Sequence, residues 1–218
     1  IVGRAYTTSF KNVKNSGSVN GTSYCGGIGG YMDMRRTAEV ANMDLSVENA
    51  ENTGTIKCGS YTGGIFGLMN VYNEDAEMTF RTLVNSGSVS GASYTGGIIG
   101  FSRANGKLMD YSHLYSTGDV TATGDSVGGI FGSLYTNNDS EMLGTKARSN
   151  DIRIDRSYSG GAVKGAANVG GIAGLVHTYG YNRSLLYHSV IRCEKDSSVY
   201  RDQYNWKYYD MSTDIRVT

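Results

Sequence analysis

The chain has 218 residues, and its 20 basic and 20 acidic side chains cancel at neutral pH. Such balance leaves no overall field to gather nucleic acid or an anionic membrane, and no run approaches the roughly 18 apolar residues of a membrane span. With 31 glycines, no proline and 39% apolar residues, the composition excludes collagen-like and disordered classes and suits a backbone whose N–H groups are wanted in strand ladders.

The first residues, Ile1-Val2-Gly3, read as the tail of a unit whose complete form first occurs at Gly26-Gly27-Ile28-Gly29-Gly30. The expectation is that the chain is a piece of a longer array. Gly-Gly-Ile-x-Gly then recurs from Gly63, Gly96, Gly128 and Gly170, spacings of 32 to 42 residues. Self-similarity at such a period implies stacked structural units around a continuous core.

Within each unit the elements come in a fixed order. An alternating apolar segment leads, with Thr8 and Phe10 in the first copy, then Leu45 and Val47, Met78 and Phe80, Met109 and Tyr111, Ile152 and Ile154. Residues two apart point to one face of a strand, so these are two inward columns of a stacked strand. A turn motif follows: Asn15-Ser16-Gly17-Ser18-Val19, then Asn52 to Ile56, Asn85 to Val89, Ser116 to Val120 and Ser159 to Val163. Its central glycine precedes the Gly-Gly pair by nine residues in four copies and by ten in the fourth.

The second expected strand surrounds the Val19, Ile56, Val89, Val120 and Val163 column. The third is expected on Ile28, Ile65, Ile98, Ile130 and Ile172, an interior ladder of identical residues. Gly27, Gly64, Gly97, Gly129 and Gly171 precede that isoleucine; they are expected to let neighbouring backbones approach and to permit a positive φ at a sharp corner. Tyr24, Tyr61 and Tyr94, with Ser126 and Asn168, hold the column two residues before the pair. Residues 31 to 42, 68 to 75, 101 to 107 and 133 to 150 are read as connections at one corner. The longest includes the polar run Asn137-Asn138-Asp139-Ser140-Glu141.

After the fifth copy, Val190, Cys193 and Val199 suggest a degenerate half-unit without a glycine pair. Tyr200, Tyr204, Trp206, Tyr208 and Tyr209 follow. The division expected is a repeat solenoid over 1–199 and an aromatic-rich cap or junction over 200–218. The fold expected is all-β, a right-handed parallel β-helix of about five rungs plus the terminal half-unit.

The run from Asn85 to Gly100, Asn-Ser-Gly-Ser-Val-Ser-Gly-Ala-Ser-Tyr-Thr-Gly-Gly-Ile-Ile-Gly, resembles the GLUG motif. The resemblance extends over five copies and about 190 residues. The fourth and fifth copies lack the Asn and Tyr, and Gly29 replaces the usual apolar residue. That family occurs in N-terminal regions of immunoglobulin-A-cleaving metallopeptidases and in large bacterial surface proteins and adhesins. The resemblance implies a right-handed parallel β-solenoid on a secreted or cell-surface protein. It supplies no active site, since the repeats lie outside the peptidase domain and His-Glu-x-x-His is absent from this sequence.

Chemistry is sparse elsewhere. His113, His177 and His188 have no carboxylate at metal spacing, and the glycine runs lack both the Lys-Ser/Thr of a P-loop and the Asp of a calcium nonapeptide. Cys25, Cys58 and Cys193 form no Cys-x-x-Cys pair, and Cys25 reads as a small buried filler. Asp151, Arg153, Asp155 and Arg156 are the densest set a β-helix lyase or glycosidase could use. Asp151, Arg153 and Asp155 alternate with Ile152 and Ile154, which reads as a solvated outer face; Glu74, Asp75 and Glu77 read as a solvated turn.

The function expected is an extracellular structural and adhesive repeat module, with neither catalysis nor cofactor nor metal. A glycan or host-surface protein is the expected partner. A self-assembling filament joined end to end is the alternative, and a β-helix polysaccharide enzyme ranks behind it.

Overall fold

The computed structural model describes residues 1–35, 45–137, 150–179, 186–193, 198–204 and 210–217. Those residues are strands joined by bends and short irregular links, wound as a parallel β-helix with three sheets running along its axis. Each of the five copies contributes one strand to each of the two smaller sheets. One of these consists of β3 (Val19–Asn20), β7 (Ile56–Lys57), β10 (Val89–Gly91), β13 (Val120–Ala122) and β18 (Val163–Lys164). Their registers place Val19, Ile56, Val89, Val120 and Val163 above one another, as the repeat alignment requires. The other consists of β4 (Ser23–Gly26), β8 (Ser60–Gly63), β11 (Thr95–Gly96), β14 (Asp125–Gly128) and β19 (Ala167–Gly170).

The third sheet is the largest, and here the strands are longer than the sequence suggests. β9 (Phe66–Asn85) and β12 (Ile99–Ser116) each run unbroken from the glycine motif of one rung into the apolar segment of the next. Residues 68–75 and 101–107 are therefore strand, not corner connections. Their unequal lengths are absorbed by a register shift between Gly106 and Leu108, where Gly106 is level with Asn73 and Leu108 with Glu77. A bulge of this kind bends a strand without ending it, so an insertion need not form a loop. Of the other two connections, residues 31–35 lie in β5 (Gly29–Arg35) and 133–137 in β15 (Phe131–Asn137). The polar run after Asn137 lies outside the described residues.

The same sheet contains β1 (Val2–Tyr6), β2 (Phe10–Asn15), β6 (Leu45–Asn52), β16 (Asn150–Asp155), β17 (Tyr158–Ser159) and β20 (Ala173–Tyr179). The Phe10, Val47, Phe80, Tyr111 and Ile154 column is in register as expected, and so are Leu45, Met78, Met109 and Ile152, but Thr8 precedes β2 and does not join them. Val2 is level with Gly29, so Ile1-Val2-Gly3 takes the place of Ile28-Gly29-Gly30 one rung earlier.

The isoleucine ladder is real, but it lies at the corner rather than inside the third strand. β5, β9, β12, β15 and β20 begin one residue after Ile28, Ile65, Ile98, Ile130 and Ile172. The first four isoleucines are wholly buried and Ile172 is partly buried against the same core. A second, smaller core of Ile56, Val89, Val120, Ala122 and Val127 fills the space between the two short-stranded sheets.

None of the motif glycines has a positive φ. Apart from Thr7, the left-handed residues fall in two other columns: Asn12, Asn49, Thr82, His113 and Arg156, three residues before the turn motif, and Tyr24, Tyr61, Tyr94, Ser126 and Asn168. The glycines serve close approach alone. A Cβ on Gly27, Gly64, Gly97 or Gly129 would collide with the carbonyl oxygen of the equivalent glycine one rung on, and with the side chain of Asn52, Asn85, Ser116 or Ser159. Gly171 faces open space, because no equivalent rung lies beyond it among the described residues.

Cys25 is buried but is no mere filler; it forms a disulfide with Cys58, 33 residues on, across a Cα–Cα distance of 6.0 Å. The registers explain the pairing. Asn20 is level with Lys57 and Cys25 with Thr62, so the bond crosses diagonally from the first rung to the second.

The terminal half-unit departs furthest from expectation. β23 (Asp210–Val217) pairs with β16, while β21 (Leu186–Cys193) lies one strand further out, next to β22 (Ser198–Tyr204). Val190 is consequently level with Asp214, not with the rung below. Trp206, Tyr208 and Tyr209 of the expected cap lie outside the described residues.

Candidate functional site

One long edge of the solenoid is lined by aromatic rings, and local geometry puts them there. Tyr24, Tyr61 and Tyr94 have φ of 56°, 58° and 54°. A left-handed residue turns its side chain out of the strand alternation, and repetition in register aligns the three rings. Tyr24 and Tyr61 stack with centroids 5.0 Å apart and planes 15° from parallel; Tyr61 and Tyr94 do the same at 5.0 Å and 13°. Such contacts contribute about 0.5–1.5 kcal/mol each beyond their burial, comparable to the strain of a left-handed residue.

Residues just after the glycine motif complete the edge. Tyr31 meets Tyr24 edge-on at 5.5 Å, and Phe101 meets Tyr61 at 5.8 Å and Tyr94 at 5.4 Å. Tyr135 lies over Phe101 at 6.1 Å, with His177 against its far side at 5.4 Å. The Arg4 guanidinium sits 4.6 Å above the Tyr31 ring and 4.8 Å above Tyr6, and Arg103 sits 5.4 Å from Tyr135. Arg4 is steadied by Asp33, a buried carboxylate 3.8 Å away that also accepts from Asn70 Nδ2 at 3.5 Å.

The ladder is only half withdrawn from water: Tyr24 remains 42% exposed and Tyr6 59%, while Tyr61, Tyr94, Phe101 and Tyr135 are half-buried. Desolvation pushes the Tyr61 hydroxyl above its ordinary range, neighbouring Tyr94 and Tyr24 add to that, and Arg103 opposes it. The Tyr61 phenol therefore stays a neutral donor and acceptor at physiological pH. Because the rings stack face to face, each covers its neighbour's face, leaving edges and hydroxyls for a partner.

The sequence picked out the Tyr24, Tyr61 and Tyr94 column but not Tyr31, Phe101, Tyr135 or the two arginines. A signal existed: Tyr31 and Phe101 occupy the position immediately after Gly-Gly-Ile-x-Gly, which the registers place in one column with Leu68. Eight of the ten ladder residues, from Gly27 and Ile28 to Gly129 and Ile130, are buried as an internal scaffold rather than a surface site, while Gly171 is exposed and Ile172 half-buried at the end of the column.

From Ile152 to Asp155 the expected alternation holds. Ile152 and Ile154 are buried, Arg153 and Arg156 are exposed, and Arg156 Nε pairs with its neighbour Asp155 at 3.3 Å. Glu77 lies in β9, not in a turn, and pairs with Lys107 at 2.7 Å, which holds its carboxyl below the usual range. These are exposed pairs on a sheet face, worth little to stability. His113 is half-buried and meets Tyr115 edge-on at 6.2 Å. Among the described residues, no three His, Cys, Asp or Glu side chains are placed to hold a metal ion.

Comparison with known proteins adds an architecture. No family model matches the chain, and no curated protein matches it either. Its structure is similar to the crystal structure titled as "a putative immunoglobulin A1 protease from Bacteroides ovatus", with a TM-score of 0.51 and 20% sequence identity. The similarity covers 100% of this chain and 66% of that one, so the chain spans just under two thirds of the protein it resembles. At that identity the shared property is the parallel β-helix itself.

Proposed function

We propose that this chain is an extracellular, GLUG-like repeat module of a larger surface protein, a rigid spacer whose aromatic edge contacts a partner. The observation that carries this reading is the continuous row from Tyr24 through Tyr61 and Tyr94 to Phe101 and Tyr135. Aromatic and arginine side chains held rigidly at a surface are what protein interfaces use as anchors. Ring edges and hydroxyls suit a protein surface better than a glycan, since a sugar ring seeks the open face of an aromatic and the ladder covers those faces. The Cys25–Cys58 disulfide supports an oxidising, extracellular setting. The charged pairs Asp155–Arg156 and Glu77–Lys107 support a mechanical rather than catalytic role, because both are solvated surface pairs.

The test is binding of the purified chain to immobilised mucin and serum glycoproteins, native and enzymatically deglycosylated. The expected result is saturable binding that survives deglycosylation and falls at least tenfold in Tyr61→Ser/Tyr94→Ser, a variant checked for an intact strand spectrum. Binding that the variant retains in full, or that vanishes on deglycosylation, would overturn the protein-contact reading.

A further inference from the structure

Chain order and spatial order part company at the C-terminal end of the largest sheet. β21 follows β20 in the chain, so the pattern of the earlier rungs would stack it on β16. That place is taken by β23, in parallel register: Asp151 with Asp214, Ile152 with Ile215, Arg153 with Arg216, Ile154 with Val217. β21 pairs in parallel with the other edge of β23 and antiparallel with β22. The three strands extend the largest sheet in the order β23-β21-β22, and the strand pair β16–β23 is what joins them to the rest of it.

The sequence gives a reason for that seam. Asp151-Ile152-Arg153-Ile154 recurs as Asp214-Ile215-Arg216-Val217, so the docking strand is a near copy of the strand it docks on. In register, apolar positions meet apolar positions, and Ile152 and Ile154 are buried. Asp is level with Asp and Arg with Arg, which is unfavourable, but each Asp has an Arg on the diagonal two residues along. Two strands, β21 by chain order and β23 by sequence match, are thus candidates for one edge.

We propose that copies of this chain exchange the three-stranded body, the 210–217 strand of one copy docking on the β16 edge of a second to give a strand-swapped dimer. The intermolecular seam is the same five registered pairs as the intramolecular one. Exchange therefore costs only the effective concentration that the tether supplies, and identical elements swap at low cost for that reason. The swap is reciprocal, so the dimer closes with two seams and leaves no docking strand unpaired.

The test uses the full chain carrying Cys193→Ser, with Arg153→Cys on one preparation and Arg216→Cys on another. Neighbouring strands lie about 4.8 Å apart, within the Cα reach of a disulfide. The two preparations are unfolded, mixed, refolded together and oxidised, then weighed intact. The expected result is a disulfide-linked species of twice the chain mass, several-fold more abundant than from either preparation alone and increasing with concentration. Replacing Arg216→Cys by Asp214→Cys, two residues out of register, must abolish it. If the mixture stays monomeric while the double variant Arg153→Cys/Arg216→Cys closes within one chain, exchange is overturned. If the double variant does not close either, the seam is absent and the proposal falls with it.

Discussion

Asn52 Nδ2 donates to Asn85 Oδ1 one rung away at 2.8 Å, and the same amide donates to Gly54 O at 2.8 Å. Asn15 repeats the pattern toward Asn52 at 2.7 Å, and Asn85 closes its own turn on Gly87 O at 2.8 Å. Each side chain thus closes its own turn while Asn15 and Asn52 also reach the next rung, an amide ladder of the kind that stacked strands support. Ser116 and Ser159 continue the column, and their buried hydroxyls have no hydrogen-bond partner among the described residues.

The ladder yields opposite predictions along one column. Asn52→Ala removes three hydrogen bonds, two donated and one accepted from Asn15, and takes the donor from the buried Asn85 Oδ1, so chemical unfolding should show a loss of roughly 2–4 kcal/mol. Asn15→Ala, at the exposed end of the column, should cost under about 1 kcal/mol. Ser116→Asn should gain roughly 1 kcal/mol by extending the ladder to Asn85 Nδ2 and closing on Gly118 O. A destabilised Ser116→Asn would show that the column is limited by space rather than by hydrogen bonding.

At Tyr61 two terms separate by choice of replacement. Tyr61→Asn keeps a residue type at ease with φ of 58° and loses the ring contacts, for a cost of about 1–3 kcal/mol. Tyr61→Val loses the same contacts and adds roughly 1–2 kcal/mol of left-handed strain. Equal stabilities of the two variants, measured by urea unfolding, would show that backbone strain is not what the stack offsets.

How much of this was legible in the sequence depends on which property repeats. Column identity could be read directly, because Phe10, Val47 and Phe80, or Val19, Ile56 and Val89, recur at fixed distances from the glycine pair. Conformation was harder. Glycine permits a positive φ without requiring one, and the left-handed positions turned out to be occupied by other residues, at Tyr24, Tyr61 and Tyr94 with ring stacking to offset the strain. Continuity of β9 and β12 was hidden because unequal spacing looks like a loop, although a bulge can absorb it. The disulfide was hidden because it joins different columns of successive rungs, so no spacing motif marks it. The aromatic edge was half visible: its ladder repeats, whereas Phe101 and Tyr135 meet it from another strand.

Tyr111 carries a pH prediction. Its ring is wholly buried, stacked on Phe80 at 4.9 Å, with its hydroxyl 2.8 Å from Ser102 Oγ. Burial pushes its ionisation far above the ordinary tyrosine range, the Ser102 bond opposing only in part. In the unfolded chain the phenol ionises near pH 10. The folded state then holds a proton that the unfolded state has lost, so this stabilisation is complete below about pH 10 and declines as pH rises beyond it. Tyr111→Phe should make the fall in melting temperature between about pH 9.5 and 11 shallower. At pH 7 it should cost about 1–2 kcal/mol by leaving Ser102 unpaired, and Ser102→Ala in the same chain should recover most of that.

Reduction of Cys25–Cys58 should destabilise the first two rungs by roughly 3–4 kcal/mol, the loop-closure value for a bond spanning about 33 residues. Thermal melts with and without a phosphine reductant measure it. Hydrogen exchange should then speed up first in β3, β4 and β7, leaving β12 protected. A uniform increase would indicate that the rungs unfold as one unit.

The central claim is that Gly-Gly-Ile-x-Gly is an architectural motif whose glycines are spacers between stacked rungs. The most direct measurement compares the unfolding free energies of Gly97→Ala and Gly171→Ala. A Cβ at Gly97 would strike Gly129 O and Ser116 Oγ, whereas one at Gly171 meets nothing within 4 Å among the described residues. The account predicts a loss of more than about 3 kcal/mol, or failure to fold, for Gly97→Ala. It predicts a change within about 0.5 kcal/mol for Gly171→Ala. Similar effects at the two positions would contradict it.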